Sequence, residues 1–340
     1  MSRLSSTRLK APVNVTWEIT QACNLACSHC LSADVRTPGR GELDTAQCLA
    51  LIDELARMEV FQVNIGGGEP FLRDDMLEIL AYAHARGITT CVSTNGTVLD
   101  ADLVDELLCM DEPVYLQVSL DGARAATNDA IRGAGTFARI VAAVELLAAA
   151  GYPDLSLNMV VTSVNAGELA EFHALAGSYG ARTRLSRFRP SGAGCATWEE
   201  YRLSREQLAA LSAFLGEHPG ISTGDSFFAL APESRRALGL DMCGAAKMTC
   251  AVAPDGGVYP CAFLCDPAFL AGNVAAEPLA EIFAASPVLE AFRRLEVESC
   301  RSCDRFSACH GGCPAIGYYL THELGSPDPE CLRAQVQEVA

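Results

Sequence analysis

The sequence predicts an α/β protein, in which a partial (β/α)6 barrel is followed by a cysteine-rich C-terminal domain. Six short apolar runs alternate with helical segments, which is typical of a parallel sheet with right-handed crossovers. Nine of the 16 cysteines then fall in the 89 residues from Cys243 to Cys331. At 340 residues, 50% of them hydrophobic, the chain has enough apolar material for more than one domain.

Each strand–helix unit is predicted from its periodicity. The first strand covers residues 13–19, and its helix covers 43–58 with Asp44 or Thr45 as the cap. Further strands are predicted at residues 61–65, 88–94, 115–120, 155–161 and 182–188, with helices at 76–86, 103–108, 137–149 and 168–179. Six units are too few for the usual eight of a closed barrel, so we expect an open side that admits a large substrate.

The pattern also predicts domain boundaries. Strand–helix alternation stops near residues 191–194, so residues 1–195 are assigned to the barrel. Residues 196–240 are interpreted as a bridging segment, with a helix near 206–216 and a loop at 223–228. Residues 241–340 form the predicted cysteine-rich domain.

Composition limits the function classes. The net charge of -17, with 25 scattered Lys and Arg, disfavours nucleic-acid binding. No segment approaches the roughly 20 apolar residues of a membrane span, and residues 1–5 lack a signal core. We therefore expect a cytoplasmic protein, in which cysteines serve as metal ligands or catalytic thiols more often than as disulfides.

Three cysteines follow the first strand as CxxxCxxC, at Cys23, Cys27 and Cys30. Three thiolates can hold three irons of a cubane cluster and leave the fourth iron open to a chelating ligand. Three alternatives remain on spacing alone: a zinc knuckle completed by His29, buried apolar thiols, or half of a disulfide framework. We interpret His29 as an exposed turn histidine, with donation to the cluster as the weaker alternative.

Polar residues collect where the predicted strands end, which is the face where such barrels carry chemistry. The glycines of GGGEP at residues 66–70 let the backbone approach a ligand closely, and the glutamate could accept from an α-amino group. Polar side chains after the third and fourth strands suit ribose hydroxyls, although a flexible turn, strand-end caps and Asx turns explain each feature singly. The candidate cofactor-binding residues are Gly67, Gly68, Glu69, Ser93, Asn95, Ser119 and Asp121.

In combination, CxxxCxxC, GGEP, STNG and SLDG at successive strand ends resemble the radical S-adenosylmethionine (SAM) superfamily, over about residues 13–190. The resemblance implies a radical SAM core of the partial TIM-like barrel type. It further implies that Cys23, Cys27 and Cys30 hold a [4Fe-4S] cluster whose free iron is chelated by SAM. Reduction would then cleave SAM to a 5'-deoxyadenosyl radical that abstracts hydrogen from the substrate.

The C-terminal cysteine spacing resembles the SPASM domain of peptide-modifying radical enzymes. The resemblance implies three [4Fe-4S] clusters in total, two of them auxiliary and fully ligated by protein. A zinc ribbon formed by Cys300, Cys303, Cys309 and Cys313 is the alternative. The implied ligands are Cys243, Cys250, Cys261 and Cys313 for auxiliary I, and Cys300, Cys303, Cys309 and Cys331 for auxiliary II.

Cys48, Cys91 and Cys109 are predicted to be buried small apolar residues. Cys195 and Cys265 lie in predicted loops, where a reactive role stays open.

Longer stretches resemble the mycofactocin maturase family: PVNVTWEITQAC (12–23), VNIGGGEP (63–70), RFRPSG (187–192), TGDSFF (223–228) and PDPEC (327–331). That family oxidatively decarboxylates the C-terminal tyrosine of a small ribosomal precursor peptide and then joins it to the preceding valine by a carbon–carbon bond. The resemblance implies a separate peptide-binding chaperone and a flavodoxin- or ferredoxin-like electron donor as partners. Thioether-forming or sulfatase-activating maturases are the alternatives, and a non-catalytic iron–sulfur electron carrier is the remote one.

If the resemblance holds, the peptide carboxylate must be held near the open iron. Arg184, Arg187 and Arg189 lie near a strand end of an acidic protein, so we predict that one of them pairs with this carboxylate bidentately. Surface solvation or pairing with local acidic residues is the alternative. Asp225 and Glu330 are further candidates for proton handling, and no residue is assigned as the catalytic base.

Overall fold

A nine-stranded sheet organises the computed structural model, which describes residues 8–33, 41–223 and 243–333. The strands run in the order β6-β5-β4-β3-β2-β1-β7-β8-β9, and the ladders from β1 to β6 are all parallel. The six predicted barrel strands are confirmed: β1 (Asn14–Thr20), β2 (Gln62–Gly67), β3 (Thr89–Thr94), β4 (Tyr115–Ser119), β5 (Leu155–Val161) and β6 (Arg182–Arg187).

Helices connect the parallel strands. The first is capped as predicted, because the Asp44 carboxylate accepts from the Gln47 amide while the Gln47 side chain accepts from the Asp44 amide. The helix preceding residue 133 was not predicted. The helices of this part are α1 (Thr45–Arg57), α2 (Met76–Ala85), α3 (Ala101–Leu108), α4 (Ala125–Arg132), α5 (Thr136–Ala149), α6 (Leu169–Ser178), α7 (Gly194–Tyr201) and α8 (Arg205–Glu217).

The cysteine-rich region extends the same sheet, which the sequence did not predict. Strand β7 (Thr249–Val252) pairs in parallel with β1, so that Trp17 lies beside Val252. β8 (Gly257–Tyr259) and β9 (Gly272–Asn273) follow as antiparallel strands. Four helices complete the region: α9 (Leu279–Ala285), α10 (Pro287–Arg293), α11 (Phe306–Cys309) and α12 (Pro314–Thr321).

The two faces of the parallel sheet differ in polarity. Side chains such as Trp17, Val118 and Leu185 are buried in the apolar core. This apolar face points towards the helices. Thr183, which shares the face with Leu185, has its hydroxyl 2.7 Å from the ring of His173 on helix α6. Residues of the other parity face away from the helices and hydrogen-bond to each other across strands, at Asn14–Asn64, Ser93–Gln117 and Asn158–Ser186. The inner face of the partial barrel is therefore polar.

The barrel stays open beyond β6. Among the described residues, β6 pairs with β5 on one side and makes an isolated bridge from Arg184 to Ser222 on the other. The boundaries predicted at residues 195 and 240 stay a prediction. In the described part of the chain, no helix is long and apolar enough to span a membrane.

Candidate functional site

The cysteine loop after β1 is held from below by the GGEP turn after β2. The Gly68 amide donates to the Thr20 carbonyl at 2.8 Å, and the Glu69 amide donates to the Ala22 carbonyl at 2.8 Å. A Cβ on Gly68 would lie 1.9 Å from the Ala22 carbonyl oxygen. Gly67 has φ +112, a conformation that glycine favours. These two glycines thus let two backbones approach each other, and their approach to a ligand stays a prediction.

Glu69 joins the same turn to the end of β3. Its side chain is fully buried and accepts from the Thr94 hydroxyl at 2.8 Å and from the Asn95 amide at 2.7 Å. Burial raises the pKa of this carboxyl, while the hydrogen bonds from Asn95 and Thr94 oppose the rise. The binding of an α-amino group by Glu69 stays a prediction, and the structure shows that the same carboxylate also fixes the loop.

The three thiols of the loop are neighbours. Cys23, Cys27 and Cys30 are all partly buried. Burial raises the pKa of the Cys27 thiol most, the charge of Arg132 opposes this, and the thiols of Cys30 and Cys23 add to the rise. Asn95 lies beside them, with its side-chain amide nitrogen 3.9 Å from the Cys23 Sγ. The loop therefore presents three thiols next to a predicted cofactor-binding residue.

A buried ion network lies behind the cysteine loop. The Asp121 carboxylate is fully buried, and its Oδ2 is 2.7 Å from Arg132 Nε and 2.7 Å from His29 Nε2. Its Oδ1 accepts from the Val160 amide at 2.7 Å. Burial disfavours the charged carboxylate, but Arg132 and His29 outweigh it and lower the pKa of Asp121 to about 2. Asp121 thus anchors the loop, and its predicted contact with ribose stays a prediction.

This network corrects one prediction and adds a residue. We expected His29 to be an exposed turn histidine, but it is buried against Asp121. Arg132, at the end of α4, belongs to no motif that we recognised, and it is buried beside the cysteine loop. In the sequence it could be noticed only as an arginine directly before Gly133, because the short helix that it ends was not predicted.

Polar residues form a row on the inner face near the ends of the central strands. Ser119 lies beside Asn158 on the next strand, and Asn158 lies beside Arg184. Two residues lower, the Ser93 hydroxyl accepts from Gln117 at 3.1 Å. The row places Ser119 and Arg184 at the same level of the barrel mouth, on the side away from the helices.

The C-terminal cysteines form two further groups. Cys243, Cys261 and Cys313 line one cavity together with Arg189 and Phe263. Cys250 lies on β7 and is completely buried, which raises the pKa of its thiol to about 12.

In the other group, burial raises the pKa of the Cys300 thiol most, and the neighbouring thiols Cys309, Cys331 and Cys303 raise it further. The four cysteines predicted for auxiliary II therefore lie together. In the described ranges no three His, Cys, Asp or Glu side chains are close enough to hold a single metal ion.

Both regions of the chain resemble known proteins. The model of the radical SAM superfamily matches residues 17–176, and that of an iron–sulfur cluster-binding domain named SPASM matches residues 243–304. A mycofactocin maturase of Mycobacterium ulcerans is 46% identical over 96% of this chain and 89% of its own length. The chain belongs to the radical SAM superfamily.

This radical SAM chain is also similar to proteins outside the mycofactocin maturases. The AdoMet-dependent heme synthase of Methanosarcina barkeri is 30% identical, covering 95% of this chain and 97% of that protein. Streptococcus suis SuiB, solved with precursor peptide SuiA bound, superposes with a TM-score of 0.77 at 17% identity, covering 95% of this chain and 76% of that one. The second likeness shows the same fold.

The donor sets of this radical SAM protein fit the cofactors that its domains imply. The radical SAM and SPASM domains imply [4Fe-4S] clusters and bound SAM. Three thiols on one loop match an open cluster, and the thiols grouped in the C-terminal region match closed ones. The zinc-knuckle alternative uses His29 as the fourth ligand beside the three thiols. His29 is instead paired with Asp121, so it does not complete this set.

The structure separates the three candidate arginines. Arg187 is buried, and its guanidinium contacts both Asp328 oxygens, at 2.6 Å and 2.5 Å, as well as the Glu330 carboxylate. Although burial opposes its charge, Asp328 and Glu330 raise the pKa of Arg187. Arg187 is thus paired with the PDPEC segment, and Glu330 within that segment is paired with Arg187. Asp225 lies outside the described residues.

Arg189 and Arg184 have different surroundings from Arg187. Arg189 is buried, and its guanidinium carbon lies 3.3 Å from the centre of the Phe263 ring. Arg184 lies on the polar inner face, and within the described residues its buried Nε has no hydrogen-bond partner. Its charge opposes the burial-driven rise in the pKa of Cys91, on the inner face of β3.

The remaining cysteines follow the predictions only in part. Cys48 is buried as predicted, Cys91 is partly buried, and Cys109 at the end of α3 is exposed, so the prediction for Cys109 was wrong. Cys195 is exposed and donates to the Pro190 carbonyl at 2.9 Å. Cys265 is partly exposed, and burial of its thiol raises its pKa.

Proposed function

We propose that this enzyme matures a small ribosomal precursor peptide by oxidatively decarboxylating its C-terminal tyrosine and then joining that residue to the preceding valine. The observation that carries the proposal is the 46% identity to a mycofactocin maturase over 96% of the chain. The fold shared with a protein solved with a precursor peptide bound supports a peptide substrate. In this reaction class a hydrogen atom, an electron and carbon dioxide leave the tyrosine.

Three [4Fe-4S] clusters and SAM are the proposed cofactors. Cys23, Cys27 and Cys30 would hold the cluster that binds SAM, and reductive cleavage of SAM supplies the hydrogen-abstracting radical. Auxiliary I and auxiliary II would use the two C-terminal groups of cysteines, Cys243, Cys250, Cys261 and Cys313, and Cys300, Cys303, Cys309 and Cys331.

The chain's own polar residues would orient SAM at the barrel mouth. Asn95 lies beside Cys23 and Ser119 lies on the inner-face row, and these positions support a direct contact of both with SAM. Ser93 lies one level deeper, bound to Gln117. The inferred role of Asp121 is indirect, because its carboxylate is buried among Arg132, His29 and the Val160 amide.

Arg184 is the proposed anchor for the peptide carboxylate. Arg187 is occupied by two carboxylates, and Arg189 stacks on Phe263, so neither has the position that Arg184 has on the inner face. Arg184 stands level with Ser119, two strands away through Asn158, which supports a role for its guanidinium near the proposed SAM site. A planar guanidinium can hold a carboxylate through two parallel hydrogen bonds, which also fixes the orientation of the tyrosine.

Kinetics of Arg184 variants test this anchor. We expect Arg184→Gln to lower kcat/KM for the peptide at least tenfold, corresponding to about 1.4 kcal/mol, because a charge-assisted contact is lost. Cleavage of SAM without peptide should persist. Arg184→Lys should recover part of the loss, and Arg182→Gln, on the exposed start of the same strand, is the matched control. Equal kcat/KM in Arg184→Gln and the control would exclude the anchor.

The proposed partners follow the same assignment. They are the precursor peptide, a separate peptide-binding chaperone that presents it, and a flavodoxin- or ferredoxin-like electron donor. We propose that the enzyme works in the cytoplasm, where reduced thiols and such donors are available.

Anaerobic incubation with SAM, a reductant, the chaperone and a Val-Tyr-ending peptide tests the function. Mass spectrometry should show the loss of carbon dioxide together with two hydrogens. A product that keeps its carboxylate but gains a thioether or a formylglycine would indicate another SPASM maturase. Absence of 5'-deoxyadenosine under all conditions would instead indicate the electron-carrier alternative.

A further inference from the structure

Arg189 places a positive charge in the wall of the cavity that holds three of the proposed auxiliary I ligands. The cavity is lined by Cys243, Cys261 and Cys313, and Arg189 contributes to the same lining. Arg189 is 6% exposed, so its charge is little screened by solvent. Apart from the thiols, it is the one ionisable side chain among the described residues that line this cavity.

Contacts within the described part of the chain hold the Arg189 guanidinium in position. Its Nη1 donates to the Arg187 carbonyl at 3.2 Å, and its central carbon lies 3.3 Å from the centre of the Phe263 ring. Phe263 follows Cys261 by two residues, so the ring that supports the guanidinium belongs to the proposed ligand loop. A cation over an aromatic face in a desolvated site is stabilised by the ring.

The charged side chains next to Arg189 are paired with one another. Arg187 faces Asp328 and Glu330, and the Asp328 Oδ2 also accepts from the Cys313 amide at 2.9 Å. Burial raises the pKa of Glu330, and the charge of Arg189 is one of the effects that oppose this rise. Neither carboxylate lines the cavity, whereas Arg189 does. Arg189 therefore contributes a positive charge to the wall of this cavity.

We propose that Arg189 is a positioning residue that raises the reduction potential of the auxiliary I cluster. One-electron reduction adds a negative charge to the cluster, and a buried cation in its wall stabilises that reduced state. The inference rests on the auxiliary I ligand set of the proposed function, and it holds whatever peptide the enzyme modifies.

Redox titration of the reconstituted full-length enzyme tests the role of Arg189. The parent carries Cys23→Ala, Cys27→Ala and Cys30→Ala, so that the two auxiliary clusters are observed by electron paramagnetic resonance without the SAM cluster. Adding Arg189→Gln should shift one of the two potentials to a more negative value and leave the other in place. Adding Arg189→Lys should shift the same potential less, because the charge is kept. Adding Arg182→Gln, at the exposed start of β6, should shift neither.

Phe263→Leu supplies a second test that leaves Arg189 in the chain. Loss of the ring should let the guanidinium move away, so the same potential should fall by less than in Arg189→Gln. Unchanged potentials in both Arg189→Gln and Phe263→Leu, with full iron content, would overturn the proposal. Equal shifts in Arg189→Gln and Arg189→Lys would also overturn it, because charge would then not be the cause. If these shifts appear while the Val-Tyr peptide is not decarboxylated, the proposed function fails and the inference stands.

Discussion

The buried ion group of Arg187, Asp328 and Glu330 joins the barrel to the last described segment of the chain, and removing Arg187 should separate the two. Arg187 is the last residue of β6, while its partners lie in PDPEC, more than 140 positions later. Asp328 and Glu330 are both buried. Breaking a buried pair on one side costs roughly 3–5 kcal/mol, because a charge is left without compensation.

Arg187→Met should therefore lower the free energy of unfolding by about 3–5 kcal/mol at pH 7. Part of the cost is relieved because Glu330 can take up a proton, since burial already raises its pKa. In this variant Asp328 loses the charge and the hydrogen bonds of Arg187 that hold its pKa below the ordinary value, and it keeps only the hydrogen bonds from the Cys313 and Glu330 amides. The remaining cost is that of burying the Asp328 carboxylate without its counter-charge.

Urea unfolding followed by circular dichroism under anaerobic conditions measures this loss. Arg182→Gln is the matched control on the same strand, because its 3.3 Å pair with Asp154 is exposed and should contribute about 0–1 kcal/mol. Iron content supplies a second readout. The Asp328 carboxylate accepts from the Cys313 amide, and Cys331 follows Glu330 directly, so both auxiliary clusters should load less iron. The reasoning is refuted if Arg187→Met and Arg182→Gln unfold at the same urea concentration.

Two further predictions concern the cysteine loop. Gly68→Ala should abolish loading of the SAM cluster while the auxiliary clusters remain, because the new Cβ would collide with the Ala22 carbonyl. The control is Gly87→Ala, at φ +74 with no atom within 4 Å of the new Cβ, which should cost only about 1–2 kcal/mol of backbone strain. Equal iron loading in the two variants would contradict this prediction. Asp121→Asn should destabilise the protein at pH 7 by about 2 kcal/mol or more, since the folded pKa of Asp121 is about 2 against 3.8 ordinarily. A carboxyl with a lowered pKa stabilises the fold above pH 4 and loses this contribution as pH falls towards 2, so wild type and variant should converge on acidification. A difference in unfolding free energy that stays constant from pH 6 to pH 3 would argue against this.

The barrel strands could be predicted from the sequence because each carries its own signal. Alternation along β1, and the polar residues at the ends of β2, β3 and β4, depend on neighbours within a few positions. The boundaries of α1 also followed from local chemistry, because Asp44 and Gln47 cap the helix between themselves.

Contacts between distant parts of the chain could not be predicted. β7 has four residues and no periodicity of its own, and its place beside β1 depends on a ladder between positions more than 230 apart. His29 was misassigned for the same reason. Its burial depends on Asp121, which is brought under the cysteine loop only once β1 and β4 lie in one sheet.

The position of the two halves relative to each other follows from rigid elements. β1 pairs with β2 on one side and with β7 on the other, and its end carries the cysteine loop. Since β7 contains Cys250, one backbone ladder connects the proposed SAM cluster with a proposed auxiliary I ligand. On the far edge, β6 is tied to the PDPEC segment through Arg187. A peptide held at the proposed Arg184 anchor would therefore meet a mouth whose two sides are fixed by hydrogen-bonded strands and a buried ion group. We expect the fold to set the spacing between the proposed clusters before any peptide binds.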